Sequence, residues 1–271
     1  MSTLYVVATP IGNLSDLTSR AIEMLSSVPV VAAEDTRVAK KLLSHIEATP
    51  QLESLHGHTS PDRLAQIVQL LNEGDMAVVT DAGTPGISDP GSSLVQAAVK
   101  AGHDVTPLPG PSAVVTALSI TGWSFDRFLF IGFLPRKKNE QLATLQDVAR
   151  EPGPVVVYES PHRIKTTLKN IDDALPDRQL VICRELTKLF EETFRGTAPE
   201  ALAHFEEPRG EFVLVIEGAG ASKPVEVSDQ EIQQTLESMR SEGVGGRTLV
   251  DRAIEITGAS RKRVYRLSLG K

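Results

Sequence analysis

The chain has a single cysteine, Cys183, among 271 residues, and aromatic residues make up only 4% of it. A lone cysteine excludes an internal disulfide and is typical of a protein kept in a reducing compartment. The longest apolar runs are far shorter than the roughly 20 residues of a membrane-spanning helix. The segment MSTLYVVATP has neither the basic stretch nor the small-residue cleavage site of an export signal. We therefore expect a cytoplasmic protein without a membrane segment.

Several widespread binding and catalytic motifs are missing. The sequence has no GxGxxG, no GxxxxGK followed by Ser or Thr, and no GxSxG. These absences argue against a dinucleotide fingerprint, a P-loop and a hydrolase nucleophile elbow. The six histidines include one close pair, His56 and His58, with no third ligand at zinc-like spacing. We expect no metal site, and a surface loop is the simpler interpretation of the pair.

Charge is distributed unevenly along the chain. The formal net charge is −7, but residues 247–271 contain seven basic and two acidic residues, against 21 basic and 33 acidic residues in the rest. The C-terminal segment therefore carries +5 and the remainder −12. Such asymmetry is typical of a segment that binds nucleic acid. It is equally typical of a solvent-exposed basic helix whose charge offsets that of an otherwise acidic protein.

The first part of the chain alternates short apolar runs with segments of helical periodicity. The runs are typical of strands buried on both faces, and we expect them at 4–9, 30–33, 51–55, 76–80 and 104–108. Ser15 or Asp16 is expected to cap the first helix between them. Five alternations predict a doubly wound parallel sheet, in a Rossmann-like α/β domain over residues 1–115.

The rest of the chain changes pattern twice. Further strands are expected at 127–133, 154–158, 180–183 and 211–218, with a polar helix at 137–150 and another starting at Ser160 and Pro161. They predict a second α/β domain with a mixed sheet over residues 116–220, joined to the first through a helix beginning near Ser112. Residues 225–271 predict a small helical extension of three helices with a helix–turn–helix pattern, in which Gly258 lies in the turn and Ser260 caps the final helix.

Four loops combine small or turn-forming residues with polar groups. They are TPIGN (9–13), AAEDTR (32–37), DAGTPGISDPG (81–91) and PGPSA (109–113). All follow predicted strands of the first sheet, where open parallel sheets bind ligands. The loops offer backbone amides, hydroxyls and carboxylates but few cations for a triphosphate. A ligand with an adenosine, a zwitterionic amino acid and a sulfonium suits them better. The loop at 81–91 is unusually long, which is typical of a loop whose backbone is approached by another group. Asp89 precedes a proline and a predicted helix, so it is better interpreted as the cap of that helix.

The motifs TPIGNLSDLT, AAEDTR, TDAGTPGISDPG, LPGPSA, YESPHR, CRELTK and RGEFVLVIEG occur in this order between about residues 4 and 218. Together they resemble the ribosomal RNA small subunit methyltransferase I group of the tetrapyrrole methylase-like superfamily, which comprises class III S-adenosyl-L-methionine (SAM)-dependent methyltransferases. Tetrapyrrole methylases usually carry a GxGxGD-like first loop and a GDP-type fourth loop, which here read TPIGN and TDAGTP. This departure favours the RNA-modifying branch over a porphyrin substrate.

The resemblance implies a two-domain homodimer that binds SAM in the cleft between the domains. It also implies 2′-O-methylation of a cytidine ribose in the decoding region of small-subunit (16S) rRNA, with free rRNA or the 30S subunit as partner. Motif matching assigns ten residues to the cofactor: Pro10, Ile11, Asp81, Ala82, Gly83, Thr84, Ser112, Ala113, Leu186 and Phe212.

A ribose 2′-hydroxyl is a poor nucleophile and must lose its proton during attack. The candidates for catalysis are Glu34, Asp35, Glu159 and Lys188. Each of these residues also has a purely structural interpretation. The three acids follow predicted strands and could cap the next helix, and Asp35 could instead form an ion pair with Arg37. Lys188 could be a solvated surface residue. Lys188 also suits a phosphate or the nascent alkoxide.

RNA contacts are expected at basic residues in loops, in first helical turns and in the C-terminal segment: Arg20, Arg37, Arg136, Lys137, Lys138, Arg261, Lys262 and Arg263. Trp123 and Phe125 are better interpreted as core or dimer-interface residues than as base-stacking platforms. Two other functions remain open. One is a SAM-dependent methylase of a tetrapyrrole or corrin intermediate, and the other is a non-catalytic nucleic-acid-binding protein.

Overall fold

A computed structural model of the chain describes residues 2–220, 229–241, 244–257 and 261–268. Their contacts separate two units. One unit holds two β-sheets within residues 2–149 and 154–217, and the other holds the C-terminal helices.

The first sheet is entirely parallel, with the strand order β3-β2-β4-β1-β5. Its strands are β1 Thr3–Val7, β2 Val30–Ala33, β3 Gln51–Ser54, β4 Met76–Val79 and β5 Asp104–Leu108. Four helices alternate with them: α1 Ser19–Ser27, α2 Thr36–His45, α3 Pro61–Leu70 and α4 Ser92–Lys100. The predicted doubly wound sheet is confirmed.

Both faces of this sheet are covered, which explains its continuous apolar strands. Along β2, Val31 and Ala33 pack with residues of α1 and α2, whereas Val30 and Ala32 pack with residues of α3 and α4. Alternate side chains of a strand point to opposite faces, so both sets must be apolar when helices cover both sides.

The second sheet is mixed, as predicted. Its order is β6-β7-β10-β8-β9, with β6 and β7 parallel and the other neighbours antiparallel. In chain order the elements are α5 Ala113–Ser119, β6 Leu129–Phe133, α6 Lys138–Asp147, β7 Val155–Glu159, α7 Ile164–Ala174, β8 Leu180–Arg184, β9 Glu192–Gly196, α8 Ala198–His204 and β10 Phe212–Ile216. Helices α6, α7 and α8 pack on one face, and α5 packs on the other.

Three details differ from the sequence predictions. Helix α1 is capped by Thr18, whose Oγ1 accepts a hydrogen bond from the Ala21 amide at 3.2 Å, while Ser15 and Asp16 lie in a preceding 3₁₀ turn. Helix α7 begins at Ile164, because residues 160–163 form a turn instead. Strand β9 and helix α8 were not predicted. The domain boundary near residue 115 falls within α5 and stays a prediction.

The C-terminal unit consists of α9 Asp229–Ser241, α10 Gly246–Thr257 and α11 Arg261–Ser268. Apolar residues of all three helices form one buried cluster, among them Leu236, Ala253 and Val264. The three helices agree with the predicted extension, whereas the expected turn at Gly258 and cap at Ser260 lie outside the described residues. Within the described ranges, no helix is long and apolar enough to cross a membrane.

Candidate active site

The first and fourth loops of the parallel sheet are joined by their backbones. The Thr9 amide donates to the Gly83 carbonyl at 2.9 Å, and the Gly83 amide donates back to the Thr9 carbonyl at 3.1 Å. Gly83 has a φ of +81°, a conformation that glycine adopts without strain. The two loops therefore form one surface with little side-chain bulk.

The second loop is joined to the fourth through carboxylates. The Asp35 amide donates to Asp81 Oδ1 at 3.1 Å, and the Glu34 carboxylate accepts from the Asp81 amide. Burial, followed by the negative charges of Asp81 and Asp89, raises the pKa of Glu34. Polar groups at the carboxyl ends of β2 and β4 thus meet, as the strand-end rule predicts.

A cavity of about 410 Å³ lies between these loops and the second sheet. This volume is within the range of about 300–1,000 Å³ of small-molecule and cofactor sites. Eight of the ten residues assigned to the cofactor line it: Ile11, Ala82, Gly83, Thr84, Ser112, Ala113, Leu186 and Phe212. Pro10 is buried beside it, and the Asp81 carboxylate holds the Asp35 amide. The structure therefore brings together segments that lie up to 200 residues apart.

Asp35 is poorly suited to accept a proton. Its carboxylate accepts hydrogen bonds from the Arg37 guanidinium, with Nε 3.0 Å from Oδ1, and from the Arg37 amide at 2.8 Å as the N-cap of α2. Arg37 lowers the pKa of Asp35 to about 2. A carboxylate of such low basicity gives little driving force for proton abstraction.

Glu159 lines the cavity, but its carboxylate is buried and is held by neighbouring residues of the protein. Thr167 Oγ1 donates to Oε2 at 2.6 Å, the Ser160 amide donates to Oε1 at 2.8 Å, and Arg163 Nε lies 3.3 Å from Oε1. These bonds join the end of β7 to α7. Glu159 therefore supports the cavity wall formed by Ser160 and Pro161.

Lys188 lines the cavity as a cation. Its Nζ lies 2.8 Å from both Glu185 Oε1 and Glu211 Oε2. Burial on its own would lower the pKa of Lys188, but the hydrogen bonds to the two glutamates outweigh it and the pKa is raised. The ammonium is therefore suited to stabilise negative charge and cannot act as a base near neutral pH.

Sequence reasoning missed the functional potential of Asp89, which lines the cavity. It was interpreted as the cap of α4, yet the N-cap is Gly91, and Asp89 Oδ2 instead accepts from Thr80 Oγ1 at 3.3 Å. Burial, with a smaller contribution from Asp81, raises the pKa of Asp89. The unusual length of the loop was the signal that pointed to this region.

Tyr158 also lines the cavity and was not singled out from the sequence. Burial, together with the nearby charge of Asp89, raises the pKa of Tyr158 to about 12. Its hydroxyl therefore stays protonated at neutral pH and is available as a hydrogen-bond donor.

The predicted RNA-binding residues of the first unit, Arg20, Arg37, Arg136, Lys137 and Lys138, are not among the residues that line the cavity. Arg20 and Arg136 are exposed, whereas the other cations whose side chains are described pair with surface carboxylates: Arg37 with Asp35, Lys137 with Glu140, Lys138 with Asp173, Arg261 with Asp251, and Arg263 with Asp229. The Lys262 side chain lies outside the described part of the structure. Trp123 and Phe125 pack against the core between α5 and the second sheet.

A model of the family of Tetrapyrrole (Corrin/Porphyrin) Methylases matches residues 3–202. The chain belongs to this family. Its members are SAM-dependent methyltransferases, which confirms the predicted cofactor.

Relatives in this family confirm the finer resemblance. A protein from Synechocystis sp. named ribosomal RNA small subunit methyltransferase I is 42% identical over 273 residues, covering 99% of this chain and 98% of the relative. A protein of the same name from Halalkalibacterium halodurans is 47% identical over 229 residues, covering 83% and 79% of the two chains.

A solved structure of this fold is a uroporphyrin-III C-methyl transferase from Thermus thermophilus complexed with S-adenyl homocysteine. It superimposes with a TM-score of 0.58 at 18% identity, covering 81% of this chain and 98% of that one. At this identity the likeness concerns the fold.

The chemistry of the cavity fits the family's cofactor. Lys188 is the single basic side chain among the described residues that line it, and two carboxylates hold its ammonium. A polyphosphate would therefore be poorly neutralised. Apolar side chains such as Ile11, Leu186 and Phe212 suit an adenine ring, while backbone groups, hydroxyls and carboxylates suit a sulfonium and an amino acid.

Proposed function

We propose that the protein methylates the 2′-hydroxyl of a cytidine ribose in the decoding region of small-subunit rRNA, with SAM as methyl donor. The observation that carries this proposal is the position of Asp89, a carboxylate of raised pKa in the wall of a cavity whose chemistry fits SAM. The names of the relatives support rRNA as the substrate.

The bound cofactor supplies a methyl group activated by its sulfonium. The loop containing Ala82, Gly83 and Thr84 offers backbone groups to the polar parts of the donor, and Ser112 adds a hydroxyl. Ile11 and Phe212 enclose its apolar parts. Alignment of this kind accounts for roughly 7–11 kcal/mol of a barrier between well-oriented reactants.

Asp89 is the proposed proton acceptor. Asp89 would accept the hydroxyl proton as the ribose oxygen takes the methyl group, while the bond from that group to the sulfonium sulfur breaks and the donor leaves as S-adenosylhomocysteine. A positioned base of this kind contributes about 10²–10⁴-fold, and the raised pKa of Asp89 makes it a stronger base than an exposed aspartate. The Lys188 ammonium is proposed to donate a hydrogen bond to the ribose oxygen as negative charge develops there.

Glu34 has a supporting role in this proposal. Burial and the charges of Asp81 and Asp89 raise the pKa of Glu34, so an ionised Asp89 favours the protonated form of Glu34.

The C-terminal unit is proposed to bind RNA through its basic helices. Arg261 and Arg263 already pair with exposed acids, but exposed ion pairs are weak and a phosphate can replace the acid. We further propose that the protein is a cytoplasmic homodimer, in keeping with its one buried cysteine and the resemblance to the family.

A direct assay tests the function. The protein is incubated with labelled SAM and either 30S subunits that lack the modification, free small-subunit rRNA or a porphyrinogen, and the labelled nucleotide is then mapped. We expect label on a single cytidine ribose in rRNA. Label in the porphyrinogen alone would favour the tetrapyrrole methylase, and failure to bind SAM in calorimetry would favour a non-catalytic RNA-binding protein.

A further inference from the structure

Strand β6 contains a bulge next to the cavity. Phe130 pairs with Val156 and Gly132 pairs with Val157, so Ile131 is an extra residue that has no partner position on β7. Gly132 has a φ of +77°, which a glycine adopts readily. Bulges of this type redirect the side chains that follow them.

The bulge changes the face on which Phe133 lies. Phe130 and Phe133 are three residues apart, a spacing that places side chains on opposite faces of a regular strand. Here both rings contact Tyr158 edge-on, with centroid distances of 5.0 Å for Phe130 and 5.7 Å for Phe133. Ile131 packs instead into the core on the opposite face. Phe133 is therefore turned toward the cavity, which it lines.

Phe133 lies at the mouth of the cavity. Its side chain is 55% exposed, and Ile87, which also lines the cavity, is 48% exposed. The two residues belong to opposite walls that approach closely, because a Cβ atom on Gly132 would lie 2.9 Å from Ser88 Oγ. The Phe133 ring is therefore held by Tyr158 and is still more than half exposed.

We propose that Phe133 is a stacking site for the base of the nucleotide whose ribose is methylated. This inference rests on the proposed function. Proteins read RNA mainly by splaying single-stranded bases onto aromatic side chains, and such stacking tolerates any base because each has a π-face. With its base on Phe133, a nucleotide spans the mouth and presents its ribose to Asp89 inside the cavity.

The test compares Phe133→Leu with Phe133→Trp. We expect Phe133→Leu to raise the KM for RNA roughly tenfold, in line with the loss of one stacked base, while SAM affinity and kcat at saturating RNA change little. Phe133→Trp restores the KM because it restores an aromatic face. Phe128→Leu is the matched control, since Phe128 is a neighbouring aromatic that is 43% exposed and outside the cavity lining.

Three outcomes would overturn the inference. An unchanged KM for RNA in Phe133→Leu would exclude stacking, and a parallel loss of SAM affinity would assign the ring to the cofactor. A change in oligomeric state would assign it to a subunit contact. Wild-type protein that binds SAM but methylates no RNA would instead refute the proposed function, and the stacking site with it.

Discussion

The two walls of the cavity differ in the size and chemistry of the residues that form them. The wall from the first sheet consists mainly of small residues and backbone groups, among them Gly83, and Asp89 is its charged side chain among the described lining residues. The wall from the second sheet contributes more large side chains, including Phe133, Tyr158 and Lys188. Parallel strands that end in loops of small residues suit close approach by a ligand, whereas a mixed sheet with a bulge can direct bulky groups inward.

This difference separates two kinds of sensitivity to mutation. On the first wall, substitutions that add atoms are expected to weaken ligand binding, because the ligand is expected to contact the backbone itself. On the second wall, lost side chains are expected to matter, because they supply charge, aromatic surface and support.

The first prediction concerns Asp89, the exception on the sparse wall. Asp89→Asn should lower kcat by about 10²–10⁴-fold, because the amide cannot accept a proton, while SAM affinity measured by calorimetry stays nearly unchanged. Since only the ionised carboxylate is a base, the wild-type rate should rise as pH rises through the elevated pKa of Asp89. That acidic limb should disappear in the variant.

Asp62→Asn is the control for Asp89→Asn, because Asp62 is an exposed carboxylate in the first turn of α3. It should leave both kcat and the pH profile unchanged. If Asp89→Asn kept the wild-type kcat, Asp89 would be excluded as the proton acceptor.

The second prediction concerns support of the side-chain wall. Glu159→Leu should lower the free energy of unfolding by about 3 kcal/mol, because it leaves Arg163 and the buried Thr167 without their shared partner. Urea denaturation measures this loss.

The control is Glu140→Leu, which removes an exposed ion pair with Lys137 and should lower the free energy of unfolding by less than about 1 kcal/mol. If the isosteric Glu159→Gln loses as much kcat as Asp89→Asn, Glu159 belongs to the chemistry after all.

The third prediction compares two glycines with nearly the same backbone conformation, Gly83 with a φ of +81° and Gly102 with a φ of +86°. Alanine at either position should destabilise the fold by about 1–2 kcal/mol through backbone strain. Only Gly83→Ala should also weaken SAM binding, because its Cβ atom would lie on the cavity wall, 3.6 Å from Ile11 Cγ2. Equal SAM affinity of the two variants would contradict a backbone contact at Gly83.

The smallest effect is expected outside both walls. Arg261→Ala should weaken RNA binding a few-fold and reduce the salt dependence of the affinity by about one counterion, while SAM binding is unchanged. Filter binding at several salt concentrations measures both quantities. Lys100→Ala, at the exposed end of α4, is the control and should keep the wild-type slope. An equal slope for Arg261→Ala would remove that residue from the RNA contact.

Strong local patterns made the architecture predictable. Strands such as β2 and β4 are buried on both faces and therefore consist of uninterrupted apolar residues. Strand β9 was missed because it pairs only with β8 at the edge of its sheet, where its sequence ETFRG is largely polar. Edge strands carry little of the hydrophobic signal on which sequence prediction depends.

The parts of the candidate site that lie in loops at strand ends could be predicted from the sequence. The parts that depend on where a helix begins or how two strands pair could not. Asp89 was interpreted as a helix cap because an Asp-Pro pair before a helix commonly is one. The structure instead makes Gly91 the cap and leaves Asp89 on the cavity wall. Phe133 resembled any other apolar strand residue, and the only local signal of the bulge is Gly132, an isolated glycine within the strand pattern.

Local hydrophobic patterns and contiguous motifs are enough to predict the alternating strands and helices, the ligand-binding edge of the first sheet and the family. Which side chains share the cavity depends on the folded chain. Asp89, Tyr158 and Phe133 meet there because a long loop, the pairing of β7 with β10 and a bulge in β6 bring distant segments together. The physical reason is that burial, charge coupling and strand register depend on neighbours remote along the chain.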